Sequence, residues 1–306
     1  MNINARLEIS DKILKGGFYC SIISLVFCLI ILIFIIANKL NTSLTYKFLS
    51  IIFISEIIGN IGNICEYEKK GELLGKRASF FLIPFSDIFT MLLFCFYSYC
   101  SIELIKKSNK KIKEKEKLYF LISFIIALVY ALIVFLILLW LEDDDDKTIR
   151  FYFYEESDYN FIRIIHIAIL IVLTIYIFYN TFIVTGFLKE KQLIDEINSW
   201  KIAKLIKILY RFPLICLLYW AFYIPYLPLS YFDGSKNKKI TFLFKLFSVS
   251  LFSSRGIFLT LNTIHTNKVE VLLQRIWEIY IKHGLILSQK RKRTLLEKDL
   301  IEEKEK

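Results

Sequence analysis

FPLICLLYWAFYIPYL, residues 212–227, and ITFLFKLFSVSLFSSRGIFLTLNTI, residues 240–264, are the two stretches on which the reading of the fold turns. At a rise of about 1.5 Å per residue, the second is long enough as a helix to cross a hydrocarbon core of about 30 Å, and the first reaches that length with one flanking turn. Both carry residues that apolar filler does not need. The first holds Pro213, Trp220 and Pro225, and the second holds Lys245, Arg255 and Gly256. Proline inside a membrane helix removes a backbone donor and bends the helix, so Pro225 predicts a bend close to one end of its span. Trp220, mid-span, is a candidate pivot between the two halves, although a packing or lipid-facing tryptophan is the plainer reading.

The rest of the chain repeats this apolar character. Of its 306 residues 56% are apolar, and the mean hydropathy is +0.52. A soluble fold has no means of covering so much apolar surface, so residence in a membrane comes first. Upstream, five further apolar runs cover about 18–37, 48–65, 79–102, 118–141 and 161–188. With 212–231 and 240–264 they make seven expected spans, an all-α bundle over 1–264. The stretch 265–306 then supplies an amphipathic helix and a charged tail. The amphipathic face is Val269, Leu272, Leu273, Ile276, Trp277, Tyr280 and Ile281. That segment is too charged to cross and suits the bilayer surface. The first span is too long for the apolar core of a cleaved leader and reads as an uncleaved anchor.

Charge sets the expected orientation. The net charge is +11, but the basic residues lie in short segments between apolar runs, which speaks for membrane loops and against nucleic acid as a partner. With the amino end outside, the inside segments hold roughly 25 Lys and Arg against roughly a dozen outside, the asymmetry expected of cytoplasmic loops. Seven of the lysines fall between Lys106 and Lys117. The acidic loop with Asp143 to Asp146 lies outside in this topology. So does the amino terminus, and the carboxyl terminus is cytoplasmic, in a multi-pass protein of the cell membrane. The sequon Asn41-Thr42-Ser43 falls inside, where glycans are not added.

Polar residues within the spans are the candidate working parts, because a charge at the bilayer centre costs about 2.5–3.5 kcal/mol and needs a partner or water. Glu56 and Arg255 fall at similar depth, so the expectation is an intramembrane ion pair that holds one packing of the helices. Asp87, in the first third of its span near Pro84, and Lys245, about five residues inside the outer end of its own span, are candidates for an outer ligand pocket, with His166 and Trp220. A lysine in the last span raises retinal chemistry, but Lys245 is too shallow and lacks a paired counter-ion motif. His166 lacks a metal-spaced partner, and the four consecutive aspartates lack the spacing of a calcium loop. No nucleophile–base arrangement, glycine-rich phosphate cradle or HExxH is present, so neither an enzyme nor a cofactor is expected. The cysteines (Cys20, Cys28, Cys65, Cys95, Cys100 and Cys216) form no CxxC pair and read as buried thiols. A Cys20–Cys65 bridge stays open. No repeat is visible, which weakens an inverted-repeat transporter.

The stretch KILYRFPLICLLYWAFYIPYL resembles the sixth helix of the slime-mould cyclic-AMP receptor family, a family of G-protein-coupled receptors. That helix opens Tyr-Pro-Leu, with a tryptophan seven residues after the proline and an aromatic two further on. Pro213, Leu214, Trp220 and Phe222 keep the spacing, with Phe212 in the tyrosine position. SSRGIF is similar to the Ser-x-Gln-Gly-aromatic segment of the family's seventh helix, with Ser253 and Gly256 matching, Arg255 in the glutamine position and Ile257 in the aromatic one. The resemblance covers these two spans and, elsewhere, only the general layout. The family's disulfide between helix three and the second outer loop has no counterpart here. Rhodopsin-type landmarks are missing too, since LNTIH stands where Asn-Pro-x-x-Tyr would be.

The resemblance implies a seven-helix receptor for a small extracellular ligand, coupled to a heterotrimeric G protein. Cyclic AMP itself is not carried over. Lys106, Lys107, Lys110, Lys111, Lys204, Lys207 and Arg211 are the candidate G-protein-facing residues, and Glu56, Arg255, Pro213, Pro225 and Gly256 the candidate switch. The alternatives are a transporter or channel subunit, with Glu56, Asp87, Lys245 and Arg255 along a polar route, and a membrane scaffold that does not signal.

Overall fold

The computed structural model describes residues 3–40, 44–67, 73–106, 110–143, 160–194 and 238–264. Every regular element among them is helical: α1 (Ile3–Ala37), α2 (Leu44–Tyr67), α3 (Leu73–Lys106), α4 (Lys110–Asp143), α5 (Asn160–Ile194), α6 (Lys238–Ser253) and α7 (Arg255–Ile264). In hydrocarbon the backbone has no water to bond, so a helix, with its bonds internal, is the form in which such Ile- and Phe-rich runs cross. Among the described residues, five helices are long and apolar enough to do so, over Lys15–Ala37, Tyr46–Glu66, Arg77–Cys100, Lys115–Trp140 and Ile164–Phe187. These lie within a few residues of the expected spans. The run 212–231, with Pro213, Trp220 and Pro225, is outside the described residues, as are Asn41 to Ser43, Lys204, Lys207 and Arg211.

The run 240–264 differs from expectation. It is not one helix but two, of 16 and 10 residues, meeting at Ser254. Neither piece alone has the roughly 20 residues that a spanning helix needs. The cause is local. The Ser254 hydroxyl donates to the Ser250 carbonyl at 2.7 Å, and the Ser254 and Ile257 amides reach back only three residues, to Leu251 and Ser254 at 3.1 and 3.0 Å. Serine back-bonding and three-residue closures of this kind are known causes of helix bends and breaks.

Burial sorts the helices. In the most apolar window of α3, 78% of the residues are buried, against 28% for α1 and α4 and 33% for α5, which makes α3 the interior element of the described set. The outward faces of α1, α4 and α5 are apolar and open, among them Ile30, Ile33, Leu136, Trp140, Val172 and Phe182. Faces of this kind suit lipid and would be a liability in water.

Small residues bring α2 and α3 together. A Cβ added to Gly59 would lie 2.4 Å from Ser86 Oγ, and one on Gly62 would lie 2.9 Å from Ile83 Cγ1. Ser55 Oγ donates to the Ser86 carbonyl at 3.1 Å, and Ser86 Oγ donates to the Ser55 carbonyl at 2.7 Å. Thr90 Oγ1 adds a bond of 2.9 Å to Ser55 Oγ. Close backbone approach and hydroxyl cross-bonds are how membrane helices associate when lipid removes the hydrophobic driving force.

Rings join α3 to α4: Phe96 stacks on Tyr119 at 4.9 Å, and Phe85 and Phe89 meet Phe124 edge-on at 5.6 and 5.9 Å. Asn180 Nδ2 on α5 donates to Ser98 Oγ on α3 at 3.2 Å. Lys47 and Glu116 pair at 3.0 Å across the first turns of the α2 and α4 spans. Cys20 and Cys65 are both thiols, so no bridge joins them.

Candidate functional site

Two serine–acid dipeptides, Ser55-Glu56 and Ser86-Asp87, set up the centre of the bundle. The serines lock α2 to α3 by the reciprocal bonds above, and the next residue along each chain is a carboxylate. The lock therefore fixes Glu56 and Asp87 on neighbouring helices at one depth. Both are buried.

Arg255, the first residue of α7, enters between them. Its Nε lies 3.3 Å from Glu56 Oε2, and its Nη1 donates to Asp87 Oδ1. The Glu56 contact is one of charge. Its Oε2 is buried and accepts no hydrogen bond from a described group. Gly59 leaves the space, since a Cβ there would sit 3.1 Å from Arg255 Nη2. The guanidinium also lies over the Phe252 ring, 4.3 Å from its centroid. Because Arg255 opens a helix, the partial positive charge of that N-terminus adds to its own in facing two acids.

The chain of contacts continues through Asp87. His166 Nε2 on α5 is 3.4 Å from Asp87 Oδ2, with the two side chains 1% and 0% exposed. Tyr130 Oη on α4 is 2.8 Å from His166 Nδ1, and the two rings stack at 5.7 Å. If the histidine is neutral, one assignment satisfies both contacts: the tyrosine hydroxyl donates to Nδ1 and Nε2–H donates to Asp87. Glu56, Arg255, Asp87 and His166, all buried, and the half-buried Tyr130 thus form one polar chain through α2, α7, α3, α5 and α4. No protein-family model matches the chain, and no curated protein does.

The sequence-level candidates are distributed unevenly over this site. Glu56 and Arg255 are in contact, and Asp87 and His166, expected in a ligand pocket, belong to the same chain of contacts. Gly256 lies beside it, where a Cβ would meet Cys28 Sγ at 2.2 Å and Ser24 Oγ at 2.5 Å. Lys245 is on α6, Lys106 ends α3, and Lys110 and Lys111 open α4. Lys107, between α3 and α4, is outside the described residues.

Five participants escaped sequence reasoning: Tyr130, Ser55, Ser86, Gly59 and Ser24. For Ser55 and Gly59 a signal existed, since Ser-x-x-x-Gly is a close-approach motif for membrane helices. Tyr130 offered none, being one phenol in an otherwise apolar span.

Proposed function

We propose that the chain is a seven-helix receptor of the cell membrane, of the cyclic-AMP-receptor-like type, that signals through a heterotrimeric G protein. The observation that carries the reading is the polar chain Glu56–Arg255–Asp87–His166–Tyr130, buried except at the half-buried tyrosine, which ties five helices together. Burying four ionisable side chains in a membrane costs free energy that simple packing does not require. Removing one member of a buried ion pair strands the other at about 3–5 kcal/mol. An arrangement of that size is suited to hold one of two packings, and a ligand that prefers the other shifts the balance by its difference in affinity.

In this reading the amino end is outside. A small ligand enters from that side, in the region of Asp87, His166, Lys245 and Trp220. The lysines around 106–111, with Lys204, Lys207 and Arg211, face the G protein. Glu56→Gln weakens the hold on Arg255 and raises ligand-independent recruitment of a labelled G-protein alpha subunit in isolated membranes. Recruitment at background in both wild type and E56Q, with surface expression intact, would sink the receptor reading.

The same chain also favours a second reading. Two carboxylates, a histidine and a tyrosine in sequence are the parts of a proton or ion route in a transporter. Solute- or proton-dependent flux in proteoliposomes, lost in Asp87→Asn, would favour it.

A further inference from the structure

Two buried polar stripes run in step on α1 and α2. Their common level is fixed by α7. Arg255 contacts Glu56 of α2, while the neighbouring Gly256 packs against Ser24 and Cys28 of α1 and donates its amide to Ser24 Oγ at 3.0 Å. Cys28 and Glu56 lie within electrostatic reach of each other. α1 ends at Ala37 and α2 begins at Leu44, and a connection this short makes packed neighbours antiparallel. Falling numbers on α1 and rising numbers on α2 therefore lead to the same side. Four residues that way from Cys28 and Glu56 stand Ser24 and Asn60, and seven residues that way stand Ser21 and Asn63, about 6 and 10 Å along the helices. Offsets of four and seven keep to one face of a helix, and all of these side chains are buried.

At the outermost of these levels the polar atoms have no partner in the protein. Ser21 Oγ and Asn63 Oδ1, on residues at most 1% exposed, make no hydrogen bond among the described residues. The donors one turn away are already spent: Asn60 Nδ2 on the Glu56 carbonyl at 2.8 Å, and the Gly256 amide on Ser24 Oγ. Buried polar atoms in native proteins are almost always bonded, so two unbonded ones at one level on neighbouring helices mark an occupant.

The surroundings say what kind. The site offers oxygen, from hydroxyls and a side-chain amide, which is what hard cations bind. The α2 stripe has a buried carboxylate at each end, Glu56 and, three residues beyond Asn63, Glu66. Glu56 and Asp87 share one arginine. With His166 in its neutral form, that trio keeps one uncompensated negative charge, which an interior of low dielectric disfavours. One added positive charge balances it.

We propose that Ser21 and Asn63, with Ser24 and Asn60 a turn below them, form a site for a small monovalent cation between α1 and α2. The ion supplies the charge that the Glu56–Arg255–Asp87 trio lacks. This goes beyond the receptor reading, since the site serves a transporter equally well.

The test uses the full-length chain in lipid nanodiscs, at constant ionic strength, with choline chloride replaced stepwise by sodium chloride. Binding of radioactive sodium should saturate at one ion per chain. The thermal midpoint should rise over the same concentrations, because an ion that binds only the folded protein stabilises it. Asn63→Leu should weaken sodium binding about tenfold or more, yet melt no lower than wild type in choline, where the oxygen it removes is unbonded. A merely structural Asn63 would cost stability in both salts. Ser21→Ala should weaken binding likewise. Thr260→Val, which removes an unbonded buried hydroxyl on α7, should leave it unchanged.

Wild-type protein that binds no sodium and melts alike in both salts overturns the site and leaves water as its content. A midpoint that follows pH but not sodium also overturns it, and puts the balancing charge on His166 as a proton. So does sodium binding that Ser21→Ala or Asn63→Leu retains at wild-type affinity.

Discussion

Arg255 serves two acids, and this changes what charge exchange can do. With a simple Glu56–Arg255 pair, swapping the two residues would restore the interaction. Here Asp87 is bonded to the same guanidinium, so a glutamate at position 255 would face Asp87 and repel it. The swap E56R/R255E is therefore expected to stay poorly expressed at the cell surface, and adding Asp87→Asn to recover much of the loss. Equal expression of the swap and the triple variant would show that Asp87 is not a working partner. At the far end of the chain, Tyr130→Phe removes one hydroxyl while keeping the ring on His166. It should cost about 0.5–1.5 kcal/mol, one hydrogen bond's net worth, read as a small drop in thermal midpoint. Arg255→Met strands two buried carboxylates and should cost about 3–5 kcal/mol, the scale for breaking a buried pair. A midpoint for R255M as mild as that of Y130F would mean that the acids are solvated.

Among the elements, the α2–α3 pair is the rigid reference, and its glycines are not interchangeable with others in the chain. Gly59→Ala forces a methyl against Ser86 Oγ at 2.4 Å, an overpacking expected to cost about 1–3 kcal/mol. Gly186→Ala on α5 meets nothing within 4 Å and should gain up to about 1 kcal/mol from helix propensity. Thermal midpoints of the two single variants in the same nanodisc preparation check the contrast, and equal shifts would refute close packing at Gly59.

The helices themselves were legible because apolar runs bounded by charge admit little else in lipid. So was the meeting of Glu56 with Arg255, because depth counted from loop ends is a property of sequence. The same count, applied to Asp87 eight residues inside the expected start at 79 and Glu56 nine inside the expected end at 65, already puts the two acids level. The sequence does not say which faces of their helices meet. That is settled by the Ser55–Ser86 cross-bonds, which depend on tertiary approach. The break at Ser254 was hidden for a related reason. A serine in a membrane helix ordinarily back-bonds without breaking it, and here an acceptor from another helix, Ser24, takes up the freed Gly256 donor.

At the scale of the whole molecule, the described helices leave one question that can be decided on the bench, namely how the broken pair α6–α7 sits in the membrane. Neither piece spans alone, but residues 238–264 together run about 40 Å at 1.5 Å per residue, more than the roughly 30 Å of hydrocarbon. The polar atoms exposed by a mid-membrane break are the usual objection to such a span. It is met by the local closures and by Ser24, which leave the Gly256 donor bonded.

The pair should therefore cross once, and with 212–231 crossing as well the total is seven. The five described spans already place the amino end and residue 194 on opposite faces if each crosses. Glycosylation sequons inserted one at a time settle the count: one ahead of Lys15, one in 144–159, one in 232–237 and one after residue 290. The first three should acquire glycans and the last should not. Glycans on both the 232–237 insertion and the carboxyl-terminal one would place the broken pair within one leaflet, reduce the spans to six and leave no seven-helix receptor to discuss.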